Sequence, residues 1–257
     1  MPQDVRIADD LKSAAVLAGL AGVLGAATVP FLLPAITKLA PPDQRELPLP
    51  LPLFCVAVAV QFLVVYGALA LAGLRLARAR DREPAPLLTA VWTHRRPAHV
   101  IAPAGRAFGT GLACGLVLVG AILLIKQTLP QTLPDTLHPP SFAGALLASA
   151  TASVGEEILC RLLALSALLR LLPATRTGTA IAVAASAILF GVLHAPAAVF
   201  LFGGLERVPY LSWVWVIALN GLVGVACGVW YLRAGIGAAI LVHFGTDLVW
   251  HVLARLI

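Results

Sequence analysis

The sequence predicts an all-α, polytopic membrane protein, a transmembrane helical bundle of about seven helices. Three observations support this fold class. Apolar residues make up 60% of the 257-residue chain and charged residues only 12%, whereas soluble domains carry about 25% charged residues. Several apolar runs reach the roughly 20 residues that a helix needs to cross a bilayer. The runs also lack the period-two alternation of barrel strands.

The apolar runs follow one another along the chain as successive spans, each long enough for one crossing. The fourth run is the longest, so a break within it, or a concealed half-helix, would give an eighth span. The predicted spans are residues 13–37, 50–76, 104–129, 142–172, 178–202, 210–232 and 235–256.

Polar segments mark where one span ends and the next begins. Mixed charges precede the first span, and His138 lies beside two prolines ahead of the fourth. The connection from Arg75 to Arg106 is the most basic, and the segment Arg170–Arg176 and Arg233 follow later spans. Basic loops stay on the cytoplasmic side, which predicts a cytoplasmic N-terminus.

The same distribution narrows the classes of partner. The net charge of +6 comes from basic residues that sit between apolar runs, so it indicates membrane orientation rather than a nucleic-acid patch. We expect a lipid bilayer as the surroundings and no nucleic acid. The composition, rich in Ala, Leu and Arg, is typical of a bacterium with GC-rich DNA, which predicts the inner (cytoplasmic) membrane.

Polar residues divide the chain into two predicted parts. Residues 1–130 form a three-helix membrane segment without a motif of chemical interest, and residues 131–257 form a membrane core that holds one. The second part contains three ionisable residues deep inside its first span: Glu156, Glu157 and Arg161.

Ionisable residues are energetically unfavourable inside a membrane span. One Asp, Lys or Arg at a helix centre costs ~2.5–3.5 kcal/mol on an insertion scale, so charged groups occur there chiefly where they pair or line a hydrated cavity. Glu157 and Arg161 are four residues apart with the glutamate first, the favourable direction for a helical ion pair, and we expect that pair to be structural. Glu156 points about 100° away around the helix and has no local partner.

Later spans offer further polar groups that suit a reaction with water. His194 lies late in the fifth span, and His243 and Asp247 share one face of the seventh. If they converge with Glu156, the carboxylate can act as a general base in apolar surroundings. Glu156 and His194 can then hold and deprotonate a water, while His243 with Asp247 stabilises an oxyanion. This set favours amide hydrolysis without a covalent intermediate.

Other roles stay open at this point. The four cysteines, single in apolar runs, and the lack of a G-x-S-x-G motif offer no nucleophile. Zinc could bind the same carboxylates and imidazoles, but no H-E-x-x-H helix is present and we expect no cofactor. Phe190 is expected to pack, and Asn220 to join helices by hydrogen bonding. A transporter is disfavoured because no internal repeat is apparent.

Three motifs occur in order within the predicted spans of the second part. Their pattern resembles the CPBP family, the CAAX-protease and bacteriocin-processing intramembrane proteins that include the Rce1-type prenyl-protein endopeptidases. The resemblance covers roughly residues 142–257. The motifs are E-E-x-x-x-R at Glu156, Glu157 and Arg161, F-x-x-x-H at Phe190 and His194, and H-x-x-x-D at His243 and Asp247.

The resemblance implies a glutamic intramembrane endopeptidase and a role for each matching residue. Glu156 matches the glutamate that activates water, and His194 the histidine that shares this water. His243 matches a residue that steadies the oxyanion, while Glu157 and Arg161 match positions that support the glutamate helix.

Asp247 departs from the pattern, because the family more often has asparagine at that position. An ionised aspartate cannot donate a hydrogen bond to an oxyanion. Asp247 is therefore either protonated, or an acceptor that orients His243.

The implied partner is a membrane-anchored protein or peptide. The resemblance allows prenylated CaaX tails, peptide leaders or bacterial sorting anchors as substrates. A non-catalytic immunity or scaffold protein that keeps the same pocket is the alternative from another class.

Overall fold

The computed structural model describes residues 3–39, 46–80, 82–93, 98–132 and 141–253. Within these ranges the chain is helical, which confirms the predicted fold class. A π-helix, Ile158–Leu165, connects α5 to α6 without a break, and 3₁₀ turns occupy Pro130–Thr132 and Leu205–Arg207. The α-helices are α1 Gln3–Leu39, α2 Leu51–Arg78, α3 Pro86–Trp92, α4 Ala98–Thr128, α5 Phe142–Glu157, α6 Ser166–Leu171, α7 Arg176–Leu193, α8 Ala195–Phe202, α9 Tyr210–Ala234 and α10 Ile236–Leu253.

Most predicted spans coincide with helices that can cross a membrane. Five described helical stretches are long and apolar enough to do so: Ile7–Pro34, Leu51–Arg78, Ala102–Thr128, Arg176–Phe202 and Tyr210–Ala234. These correspond to the first, second, third, fifth and sixth predicted spans, and the protein is an integral membrane protein.

The fourth and seventh predicted spans take different forms. The seventh corresponds to a shorter apolar helix, Ile236–Val252, and residues 254–256 of that span lie outside the described ranges, as does His138. The fourth span is the continuous helical run of α5, the π-helix and α6. It does not break, so it supplies no eighth span.

Helices from both halves of the chain pack into the same bundle. Helix α10 packs against α4, α5 and α9, while the π-helix contacts α2, α7 and α9. Helix α1 lies against α2 and α5, and buried apolar side chains from α1, α2, α7, α9 and α10 form one continuous core. Two of the motif-bearing helices, α5 and α10, are therefore held by neighbours from the N-terminal part of the chain, α1 and α4.

Arginines gather at one end of the bundle and tie helix ends together. The Arg80 guanidinium donates hydrogen bonds to the carbonyls of Arg170 (3.2 Å) and Leu172 (2.8 Å), where α6 ends. Asp10 of α1 is buried and pairs with Arg75 (3.3 Å) and Arg78 of α2. We call this end of the bundle, where α2, α6 and α9 end and α7 and α10 begin, the arginine end.

The contact between α4 and α10 depends on a glycine. A Cβ atom at Gly111 would collide with the backbone carbonyl of Val242 on α10. At the same place the Thr246 hydroxyl is shared between the Gly111 carbonyl of α4, 3.1 Å away, and the Val242 carbonyl of its own helix, 3.0 Å away. A small residue here lets the two helix backbones approach closely. Gly109, two residues earlier on the same helix, faces open space, and a Cβ atom there would have no neighbour within 4 Å.

This difference gives opposite expectations for two alanine substitutions. Gly111→Ala should lower the free energy of unfolding by about 1–3 kcal/mol, because backbone atoms cannot rotate out of the way. Gly109→Ala should be neutral or stabilise the protein by up to about 1 kcal/mol, the helix-propensity gain of alanine over glycine. Unfolding in detergent measures both. Equal effects of the two changes would show that α4 does not pack closely on α10.

Candidate active site

The three predicted motifs meet at one place in the bundle. Glu156 lies in the last turn of α5, His194 between α7 and α8, and His243 in the middle of α10. The Glu156 Oε2 atom lies 3.7 Å from His194 Nε2 and 3.9 Å from His243 Nε2. The sequence left Glu156 without a local partner, and the fold places two imidazoles in front of it.

Those two distances are too long for direct hydrogen bonds. They fit an arrangement in which one water bridges the carboxylate to an imidazole, which is how polar groups beyond 3.5 Å commonly interact. Glu156 Oε2 is itself buried and accepts no hydrogen bond from any described residue. A buried carboxylate oxygen without a donor is costly, so this atom is ready to accept a proton or a hydrogen bond from a bound molecule.

His194 is fixed by the end of its helix. Pro196 has no N–H and occupies the first turn of α8, so the chain stops α7 at Leu193 and places His194 at the junction. The ring Nδ1 lies 2.8 Å from the Phe190 carbonyl oxygen. A carbonyl only accepts, so Nδ1 carries the proton. With the proton on Nδ1, it is Nε2 that faces Glu156, and its lone pair can accept a hydrogen bond when it carries no proton.

His243 is held by two carboxylates. Its Nδ1 lies 3.0 Å from Glu157 Oε1, and its Nε2 lies 3.5 Å from Asp247 Oδ2. The ring is nearly inaccessible, at 3% exposed. Glu157 fixes the tautomer and orientation of the ring because a carboxylate accepts the Nδ1 proton. Asp247 lies on the same side of His243 as Glu156.

Glu157 and Arg161 form a buried pair that also supports the ring. Their side chains are fully buried, and Arg161 Nε lies 3.3 Å from Glu157 Oε2. Arg161 Nη2 donates to the Gly224 carbonyl at 2.9 Å, and the guanidinium lies 4.5 Å from the centre of the Phe190 ring. The predicted ion pair is present, but the sequence did not reveal the contact between Glu157 and His243.

Phe190 occupies the space between these groups. Its ring is 1% exposed and meets the His194 and His243 rings edge-on, with centroids 4.8 Å and 5.3 Å away. Aromatic rings favour such edge contacts. Phe190 therefore keeps the two imidazoles apart and sits under the Arg161 guanidinium, so its packing bears directly on the site.

A cavity of about 360 Å³ lies in front of Glu156, His194, His243 and Asp247. The sequence did not assign several of its other lining residues to the site, among them Lys126, Trp215 and Trp250. The Trp215 indole N–H is buried and has no acceptor among the described residues, so a molecule in the cavity can provide one. A size of this order suits a small-molecule or peptide segment.

Asn220 also lines the cavity, but its hydrogen bond differs from the expected one. The side-chain amide donates to the Val216 carbonyl, 2.8 Å away and one turn earlier in α9. This bond lies within one helix, whereas the sequence analysis expected Asn220 to join two helices.

The described residues include no group of three or more histidine, cysteine, aspartate or glutamate side chains arranged to hold a metal ion. Glu156, His194, His243 and Asp247 face one another in pairs, with Glu156 and Asp247 both directed at His243. This arrangement is suited to moving protons between a carboxylate, two imidazoles and a bound water.

The same stretch of chain matches a known family. Residues 138–249 match the family model described as type II CAAX prenyl endopeptidase Rce1-like. The match covers 112 of the 257 residues, so it is this segment that resembles the Rce1-like family. The resemblance inferred from the motifs is thereby confirmed, and Glu156, His194, His243 and Asp247 all fall inside the Rce1-like segment. No curated protein and no solved structure gives a significant match to the chain.

The Rce1-like match indicates the general class of protein. The family is one of membrane-embedded peptidases that act on membrane-associated protein substrates. The α4 helix, which packs against α10, lies before the Rce1-like segment in the sequence. The family match therefore covers Glu156, His194, His243 and Asp247 but not all of the helices that hold them.

Proposed function

We propose that the protein is a glutamic intramembrane endopeptidase that hydrolyses a peptide bond of a membrane-anchored protein or peptide. One observation carries the proposal: Glu156 Oε2 lies 3.7 Å and 3.9 Å from two imidazole nitrogens at the wall of a cavity inside the bundle. The Rce1-like match supports it, because that family consists of peptidases.

The first chemical step is the activation of water. A water placed between Glu156 and His194 donates one hydrogen bond to each, because the Glu156 carboxylate and the His194 Nε2 lone pair both accept. Its oxygen lone pair is then directed away from both groups and attacks the peptide carbonyl carbon. Glu156 takes the proton as the new C–O bond forms, which is general base catalysis.

The second step is the collapse of the tetrahedral intermediate. His243, when it carries a proton on Nε2, donates a hydrogen bond to the oxyanion. Glu157 on Nδ1 and Asp247 near Nε2 are placed to balance the charge of the doubly protonated ring. The C–N bond then breaks, and the proton held by Glu156 passes to the departing amine. The products are an amine and a carboxylic acid, so the atoms of one water are accounted for.

A cleavage assay on the purified protein tests this function. Lipid-anchored and helix-anchored peptides, including a prenylated CaaX tail and a bacterial sorting anchor, are incubated with the protein in proteoliposomes. Mass spectrometry should show two fragments that together contain one added water. If no anchored peptide is cut, the cavity is a binding pocket, as in the alternative of a non-catalytic immunity or scaffold protein.

Metal removal separates the proposed mechanism from a zinc-dependent one that uses the same side chains. We expect cleavage to continue at an unchanged rate after dialysis against a strong chelator, because Glu156 and His194 activate the water directly. Elemental analysis of the treated protein checks that removal is complete. Activity that falls with the metal and returns on addition of zinc would overturn the glutamic mechanism.

We also infer a bacterial inner-membrane location with the N-terminus in the cytoplasm. The strongly basic connection from Arg75 to Arg106 supports this orientation. The composition supports the bacterial origin.

A further inference from the structure

The cavity belongs to one end of the bundle. Its lining comes from the C-terminal halves of α4 and α10, the end of α7 with α8, the first half of α9 and the first half of the continuous run from α5 to α6. Because successive spans run in opposite directions, these parts all lie on the same side. We call this side the cavity end. It is the end at which Ser212, near the start of α9, donates to the Thr132 carbonyl after α4, 2.6 Å away.

The cavity extends from the middle of the helices toward their termini at this end. Lys126 lies within the last turn of α4 and has an exposed side chain. Trp250 lies within the last turn of α10. His243 is ten residues before the end of α10 at Leu253, which places the site about 15 Å below the helix end at about 1.5 Å of rise per residue. The lining thus connects the buried glutamate to the surface at the cavity end.

The arginine end is the opposite end of the bundle. The bonds from Arg80 to the end of α6 hold it together. The Ile236 amide, where α10 begins, donates a hydrogen bond to the Pro84 carbonyl at 2.7 Å, which also holds this end together. The helices α4, α7, α9 and α10 each have one terminus here and the other terminus at the cavity end.

The basic residues are distributed unequally between the two sides. Most of the 18 lysines and arginines in the sequence fall before the first span or at the connections on the arginine side. The connections on the cavity side hold few. Among the residues that the structure describes, those on the arginine side are Arg6, Lys12, Arg75, Arg78, Arg80, Arg82, Arg106, Arg170, Arg176 and Arg233, and those on the cavity side are Lys38, Lys126 and Arg207.

We propose that the cavity takes its substrate from the extracytoplasmic side of the membrane. Lysine and arginine in short loops are retained in the cytoplasm, so the arginine end faces the cytoplasm and the cavity end faces outward. This direction of access also gives the substrate class, which rests on the proposed function. That class is exported proteins or peptides that are anchored in the membrane. Their scissile bond reaches roughly 15 Å into the bundle from the outer surface, by the helical rise used above.

Cysteine labelling tests the direction of access without any assay of cleavage. Lys126→Cys places a thiol at the cavity mouth, and Arg176→Cys places one at the exposed start of α7 on the arginine end. Both are made in a chain in which Cys55 and Cys114 are replaced by alanine, while the buried Cys160 and Cys227 are kept. The chain without an added cysteine gives the background.

A charged maleimide that cannot cross membranes is applied to right-side-out and inside-out vesicles. We expect Lys126→Cys to be labelled in right-side-out vesicles and to lose labelling in inside-out ones, and Arg176→Cys to show the reverse. Asn220→Cys, deeper in the cavity, should follow the pattern of Lys126→Cys at a lower rate. Labelling of Lys126→Cys from the inside only would overturn the inference.

The outcomes for access and for catalysis are independent. Outward labelling without any cleavage would leave the direction of access standing and remove the proposed peptidase function. Cleavage of anchored peptides with inward labelling would leave the peptidase standing and overturn the extracytoplasmic substrate class.

Discussion

Glu156→Gln is expected to lower the rate of peptide-bond cleavage by about 10²- to 10⁴-fold, the usual contribution of a general base. Glutamine has nearly the same size but cannot take a proton from water. The bundle should stay folded, because Glu156 Oε2 accepts no hydrogen bond from the described residues. Steady-state kinetics on an anchored peptide should show the loss in kcat rather than in KM, since the base acts in the transition state.

Glu206→Gln is the matched control. Glu206 is an exposed glutamate in the 3₁₀ turn Leu205–Arg207 and does not line the cavity, so the same chemical change should leave the rate unaltered. Thermal unfolding of both variants in detergent checks that they remain folded. A Glu156→Gln variant with the full wild-type rate would exclude the water-activation mechanism.

Arg161→Ala is expected to lower the free energy of unfolding by about 3–5 kcal/mol, the cost of removing one partner of a buried ion pair. Glu157 would remain without its cation, in a place where both side chains are 0% exposed. The Gly224 carbonyl would also lose its side-chain donor, and the Phe190 ring its cation. Cleavage should also fall, because Glu157 orients His243.

Lys12→Ala provides the comparison at an exposed ion pair. Lys12 is 56% exposed and its Nζ lies 3.8 Å from Asp9, so its loss should cost less than about 1 kcal/mol. The double variant Glu157→Gln with Arg161→Met should be less destabilised than the sum of its single changes, because no unpaired charge remains. Equal unfolding free energies for Arg161→Ala and Lys12→Ala would contradict the buried-pair account.

The sequence was sufficient for the membrane class and for most spans because both depend on local composition. An apolar run of this length is stable across a bilayer as a helix, because every backbone polar group must form its hydrogen bond within the segment. The fourth run shows the limit of this reasoning. Its apolar pattern continues through the π-helix Ile158–Leu165, and the shift from α-helix to π-helix leaves no composition signal.

The polar residues of the site could be chosen by their cost in a bilayer, but their partners could not. Glu157 and Arg161 are neighbours on one continuous helical run, so spacing predicts their pair. The contact of Glu157 with His243 joins residues 86 positions apart, and only the packing of α5 on α10 creates it. Trp215 and Trp250 are ordinary apolar residues in the sequence, and their place at the cavity depends on how α9 and α10 face each other.

The close contact of Gly111 and Thr246 has a bearing on how such enzymes are compared and redesigned. Helix α4 lies outside residues 138–249, which match the family model, yet α10, the helix that bears His243, packs against it. A truncated protein that begins at residue 138 would leave α10 without its contact to α4. The segment recognised by family resemblance is therefore smaller than the set of helices that positions the site. Substitutions far from any motif can alter the activity.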